Sequence, residues 1–193
     1  MTSPIDTQID TTTRDLGRRL TAVGLAHYVR LRRRFDAPME EVWSAITDPA
    51  RLGAWFGTVT GDLRPGGRYQ VEGNAHGAIL DCRRPHHLAV IWDFSGPTEL
   101  DIRLAEDPHG GTVLELEHAA VIPDEYVAGV GQFASNWELG MYLLDEYLHG
   151  SLPAQALDWA VGENLTPAVE GLIARSVGSW GDIARSQGYI SPG

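Results

Sequence analysis

The stretch from Phe35 to Gly67 packs two helix starts, an aromatic pair and a Gly-Gly turn into one short run after a strand, and few folds accommodate that order. Pro38 suits the first position of a helix, where its missing N–H is not needed, and Glu40 and Glu41 complement the positive end of the helix dipole. Val42, Trp43 and Ile46 give that helix one apolar face. Thr47-Asp48-Pro49 restarts the pattern, with Asp48 as cap and Pro49 as first residue of a second short helix that carries Leu52, Trp55 and Phe56 and ends at Gly57. Gly66-Gly67 then predicts a tight turn between strands near 58–63 and 67–73.

On either side the apolar period is two. Val29, Leu31 and Phe35 share a face of a strand over 26–35, with Arg33 in phase. Tyr69 and Val71 alternate with Arg68, Gln70 and Glu72, and a further strand spans 76–83. Leu88, Val90, Trp92 and Phe94 form the next inward set, followed by Leu100, Ile102 and Leu104, then by Leu114, Leu116 and His118. Short turns between these strands predict an antiparallel sheet. Residues 131–149 return to helical spacing, with Phe133, Trp137, Met141, Leu144 and Leu148 on one stripe and Gly150 closing it. A helix this apolar must bury its stripe, and the concave face of the sheet is the available surface. The prediction is an α+β fold: a curved antiparallel sheet around a long C-terminal helix, with an internal pocket between them.

Three segments are expected. Residues 1–24 form a polar N-terminal segment that frays, although Leu16, Leu20 and Val23 offer some local structure; residues 25–150 form the domain. Residues 151–193 form a helical extension, with helices from Pro153 to Ala160 and from Thr166-Pro167 onward, the latter apolar along Val169, Leu172, Ile173, Trp180 and Ile183. The extension packs on the domain or on a second subunit, which leaves a homodimer open.

Composition narrows the function classes. Against 26 Asp and Glu there are 15 Lys and Arg, a formal charge of −11, so the chain repels phosphate backbones and no nucleic-acid partner is expected. Arg30, Arg32, Arg33 and Arg34 read as strand side chains in solvent. Cys82 is the only cysteine, which excludes a disulfide framework and a Cys-based zinc site and suits a reducing compartment. The first twenty residues lack the apolar core of a signal peptide, and no apolar run approaches the roughly 18 residues of a membrane span. A soluble cytoplasmic protein without membrane contact is expected.

Phe35-Asp36-Ala37-Pro38, Val42-Trp43, Thr47-Asp48-Pro49, Leu52, Trp55-Phe56, Gly66-Gly67, Trp92, Leu114-x-Leu116-x-His118 and Trp137, in this order over residues 25–150, resemble the START-like or SRPBCC superfamily, the helix-grip fold. The branch they resemble most is the one related to the C-terminal domain of the activator of Hsp90 ATPase. The resemblance implies a deep, largely apolar cavity between sheet and long helix; the wider superfamily binds or transforms lipids, sterols, polyketides and aromatic compounds. The eukaryotic co-chaperones of that branch carry an additional N-terminal Hsp90-binding domain, for which there is no room before residue 25. The resemblance is not extended to residues 151–193.

Small-molecule binding in that cavity is the leading expectation, with Trp55, Phe56, Tyr69, Val71, Trp92, His118, Trp137 and Met141 as ligand-binding residues. Trp55 and Phe56 stand where the fold opens, and buried Trp92 and Trp137 offer indole N–H groups as polar handles. His118 shares the inward face with Leu114 and Leu116, so its imidazole is expected to reach the cavity and to donate a hydrogen bond or act as an acid or base. Arg33 either anchors an anion or, as the preferred reading, pairs with Glu72 or Asp81; Asp145 and Glu146 face solvent. Two rivals stay open: a cyclase, dehydratase or hydrolase using His118 with a neighbouring carboxylate or water, and a co-chaperone-like interaction module with an exposed apolar patch at Trp159 and Trp180. No catalytic residue, cofactor or metal site is assigned. His86 and His87 are adjacent and point apart, Gly-x-Ser-x-Gly is missing, and neither Gly-Gly pair has phosphate-loop spacing.

Overall fold

The computed structural model describes residues 4–21, 24–160 and 162–189. Strands β1 (Thr13–Thr21), β2 (Gly24–Phe35), β3 (Val59–Gly61), β4 (Arg68–Val71), β5 (His76–Arg83), β6 (His87–Asp93), β7 (Pro97–Glu106) and β8 (Thr112–Ala120) pair antiparallel in the spatial order β1-β2-β8-β7-β6-β5-β4-β3. Helices are α1 (Pro4–Thr11), α2 (Met39–Thr47), α3 (Pro49–Trp55), α4 (Val130–Leu148), α5 (Ala156–Ala160) and α6 (Pro167–Ser186). The curved sheet wraps α4 on its inner face, which is the α+β helix-grip architecture the sequence predicts.

Alternation along the strands makes the two faces. Leu31 and Phe35 of β2, Leu100 and Leu104 of β7, and Leu114 and Leu116 of β8 turn inward and are buried. The outer face is an ion-pair lattice: Arg30 meets Glu117 at 2.6 Å and Asp15 at 3.0 Å, and Arg19 joins Glu117 to Glu99. Asp48 caps α3, its Oδ1 accepting the Ala50 N–H at 2.8 Å.

Several expectations need correction. The N-terminal segment predicted to fray forms α1 and the edge strand β1, which pairs with β2 along its whole length. Only Leu16 is fully buried in β1, so an edge strand with one inward anchor reads as a polar segment. Val23 lies outside the described residues. Phe94 is 69 % exposed because β6 ends at Asp93, whose carboxylate accepts the Gly96 N–H and turns the chain. Trp180 is 1 % exposed, so it contributes nothing to an apolar surface patch; the Trp159 side chain lies outside those described.

The extension packs on its own chain. Val169, Leu172 and Trp180 of α6 are buried, and α6 lies close enough to α4 that a Cβ on Gly131 would stand 3.2 Å from the Trp180 Cβ. Between them sits Glu138 of α4, with no exposed surface. Its carboxylate accepts from Arg14 Nε (2.7 Å), Arg14 Nη2 (2.6 Å) and Trp180 Nε1 (2.8 Å). Gln8 of α1 donates to the Glu138 backbone carbonyl at 3.1 Å. Removing one partner of a buried pair strands the other, so Glu138→Ala is expected to lose about 3–5 kcal/mol in urea unfolding. A loss under about 1 kcal/mol would show that this carboxylate does not hold α4 in place.

Candidate functional site: the space between sheet and α4

The stripe of α4 facing the sheet is Trp137, Gly140, Met141 and Leu144, at the i, i+3, i+4, i+7 spacing of one helix face. Opposite it are inward residues of β4 to β8, and Trp55 of α3 with Phe56 just beyond it closes one side. These surfaces line a half-open cavity of about 170 Å³. No charged side chain lines it.

Strand periodicity delivers most of the wall. Tyr69 and Val71 project inward two residues apart on β4, and Val90 and Trp92 do so on β6. On β5 a register shift between Ile79 and Asp81 resets the alternation, so that Ile79 and Cys82 both line the cavity while Leu80 is 53 % exposed. Burial pushes the Cys82 thiol up from its ordinary value, and Asp81 adds to the shift, which disfavours the nucleophilic thiolate.

Of the predicted ligand residues, Trp55, Phe56, Tyr69, Val71, Trp92, Trp137 and Met141 come together on this wall. Five of them are aromatic and form a chain of ring contacts: Trp55 to Phe56 at 5.4 Å, Phe56 and Tyr69 to Trp92 at 6.2 and 6.4 Å, and Trp92 to Trp137 at 5.2 Å. Most of their polar atoms are already engaged. Trp55 Nε1 donates to the Ala45 carbonyl at 3.1 Å, and the Tyr69 hydroxyl donates to the Ile91 carbonyl at 2.9 Å. Burial raises the Tyr69 pKa well above its usual range, so the hydroxyl keeps its proton. The Trp92 indole N–H has no hydrogen-bond partner among the described residues.

His118 is not among the lining residues. It stands behind Trp137, which donates Nε1–H to His118 Nδ1 at 3.0 Å. With Nδ1 an acceptor, the neutral ring carries its proton on Nε2 and donates it to Thr98 Oγ1 at 2.6 Å; that hydroxyl in turn donates to the Trp92 carbonyl at 2.6 Å. The chain of donors therefore fixes one tautomer and ties Trp137 of α4 to the β6–β7 pair. Burial lowers the His118 pKa to about 3. Both nitrogens are occupied and the ring is neutral, so it supplies neither acid nor base to the cavity.

Arg33 also lies outside the lining. Its guanidinium donates to Asp145 Oδ2 at 2.7 Å and to the Met141 carbonyl at 3.3 Å. The last turns of α4 cross over β2, whereas Glu72 and Asp81 belong to the far half of the sheet, so the predicted partners are out of reach and Asp145 is not left to solvent. Gly140 escaped the sequence reading. A glycine inside a helix costs roughly 0.8–1 kcal/mol relative to alanine, and its position in the stripe, three residues after Trp137, was the available signal. Among the described residues no group of three or more His, Cys, Asp or Glu side chains is placed to hold a metal ion. Likewise, no described helix is long and apolar enough to cross a membrane.

The folded His118 pKa lies below its unfolded value of about 6.5, so the unfolded chain binds the extra proton first. Stability contributed by the neutral ring is fully present above about pH 6.5 and is lost as pH falls toward 3, with a slope approaching 1.4 kcal/mol per unit. Urea melts between pH 4 and 7 are expected to show that slope, and His118→Asn is expected to flatten it. An imidazole titrating near 6.5 in the folded protein by NMR would contradict the arrangement.

The model of the activator of Hsp90 ATPase homolog 1-like family matches residues 36–149. The crystal structure of CalU16 from Micromonospora echinospora is 32% identical in sequence, with a TM-score of 0.74 over 90% of this chain and 98% of that one. Its solution NMR structure gives a TM-score of 0.76 at 36% identity, over 91% of this chain and 96% of that one. DynU16, a protein in the dynemicin biosynthetic locus, has a TM-score of 0.56 at 25% identity, covering 65% of this chain and 48% of that one. Among curated proteins, none matches the sequence.

Proposed function

The chain belongs to the activator of Hsp90 ATPase homolog 1-like family, and on that premise we propose that it binds a small, uncharged hydrophobic or aromatic molecule between the sheet and α4. The observation that carries this reading is the character of the cavity wall. It has no charged side chain, it presents five aromatic rings, and the polar atoms of Trp55, Tyr69 and Trp137 are satisfied within the protein. Such a wall gives an apolar guest dispersion contacts and removes its surface from water, while an ion would lose its hydration with nothing to replace it. Trp92 leaves one indole N–H available to an acceptor oxygen on the guest.

Size narrows the class. A cavity of about 170 Å³ is close to the roughly 150 Å³ that accommodates benzene in an engineered apolar core, so the guest has the bulk of one or two rings. That DynU16 belongs to a biosynthetic locus supports a small molecule as the natural partner. An acid–base enzyme working through His118 is the weaker reading, because two polar groups would have to converge in the cavity and His118 is held behind Trp137. A homodimer built on the apolar face of α6 would first have to undock that face from α4 of its own chain.

A panel of uncharged aromatic compounds tests the proposal by thermal shift. A true ligand at one hundred times its Kd should add about 2.7 kcal/mol of stability. The same ligand should slow alkylation of Cys82, the single thiol, which lines the cavity. Native mass spectrometry of the purified protein would identify a molecule carried through purification. No shift across the panel, together with an unchanged Cys82 alkylation rate, would overturn the proposal.

A further inference from the structure

Two glycines on α4 have no side chain for opposite reasons. At Gly131 a Cβ would stand 3.2 Å from the Trp180 Cβ and 3.2 Å from the Val177 carbonyl oxygen, so the close approach of α6 demands glycine there. At Gly140 a Cβ would meet nothing within 4 Å. Gly140 is also in the middle of a 19-residue helix, where glycine is disfavoured, and it lies between Trp137 and Leu144 on the stripe that lines the cavity. Neither backbone conformation nor packing calls for glycine at this position, since its φ is not among the positive ones. The missing side chain opens directly into the space that a guest would occupy.

We infer that Gly140 sets the size limit of the cavity: the volume its missing side chain leaves is filled by the second ring of a flat, uncharged, two-ring aromatic guest. This rests on the proposed function and adds to it the class of guest and the residue that selects it. The sheet side of the space presents Trp92 and the helix side presents bare backbone at residue 140, so a rigid ring can lie against α4 without displacing a side chain. A methyl group at 140 takes part of that volume, and an isobutyl group takes most of it. Because apolar cores resist overfilling, each added carbon removes room from the guest rather than being absorbed by the wall.

The test compares the wild type with Gly140→Ala and Gly140→Leu, using benzene and naphthalene as probes. Affinity is read from thermal shift and from protection of Cys82 against alkylation. The wild type is expected to bind both probes. Gly140→Ala should keep benzene and lose naphthalene by about tenfold or more, while its own melting temperature without ligand rises by about 2–4 °C. Gly140→Leu should exclude both; if it does not fold, the alanine variant decides alone. Wild-type naphthalene affinity in Gly140→Ala, or a lower melting temperature in that variant, would overturn the inference and leave the proposed function standing. Failure of the wild type to bind either probe while it binds other members of the aromatic panel would overturn the two-ring assignment alone. Failure to bind any uncharged aromatic would take down both.

Discussion

The buried carboxylate of Glu138 ties α4 to the elements packed on its outer side. It is fully buried; a guanidinium from β1 compensates its charge and an indole from α6 donates a further hydrogen bond, so it is fully satisfied only when both neighbours are in place. The residue before it, Trp137, faces the sheet, and the next two, Leu139 and Gly140, begin the following turn. The polar anchor thus lies on one side of α4 and the apolar stripe on the other. A second tie works from within: Trp137 to His118 to Thr98 to the Trp92 carbonyl, four groups joined without a charge. Between these anchors the helix has little freedom to sink into the sheet and fill the hollow.

That hollow departs from ordinary protein packing. Protein interiors normally pack to crystal density, and an apolar void forfeits contacts around its whole lining. Here the lining is rigid for identifiable reasons. The Trp55 and Tyr69 side chains are pinned by hydrogen bonds to backbone carbonyls, and the Ile79–Asp81 irregularity brings Cys82 to the wall rather than a larger residue. If the proposed guest binds there, an oily wall of this kind would discriminate by shape, because every uncharged guest would gain much the same transfer energy per unit of buried surface.

Much of this was legible in the amino-acid order. Period-two alternation placed Tyr69, Val71 and Trp92 inward, helical spacing placed Trp137 and Met141, and the Thr47-Asp48-Pro49 signal put Trp55 and Phe56 at one side of the space. Where the reading failed, the cause was non-local. Arg33 sits on the same strand face as Val29, but its partner Asp145 is 112 residues away on a helix whose crossing angle no local pattern encodes. His118 was correctly placed on the inner face of β8, yet the indole in front of it takes its Nδ1 and stands between it and the cavity. β1 carries so few apolar residues that only its pairing with β2 reveals it as a strand. Gly140 was missed because a pattern search counts side chains, so a glycine in the stripe shows only through its spacing from Trp137.

The partners of Glu138 come from residues 8, 14 and 180, near opposite ends of the described chain. Such contacts have high sequence separation, and their loop-closure entropy must be met before they return any stability. A nascent chain that has emerged only as far as α4 therefore holds a buried-type carboxylate without its indole, and an aromatic stripe without its final seat. Shortening the chain at its C-terminal helix would therefore remove the indole that Glu138 bonds and the surface on which the outer side of α4 packs, and so would unsettle the inner side of the same helix.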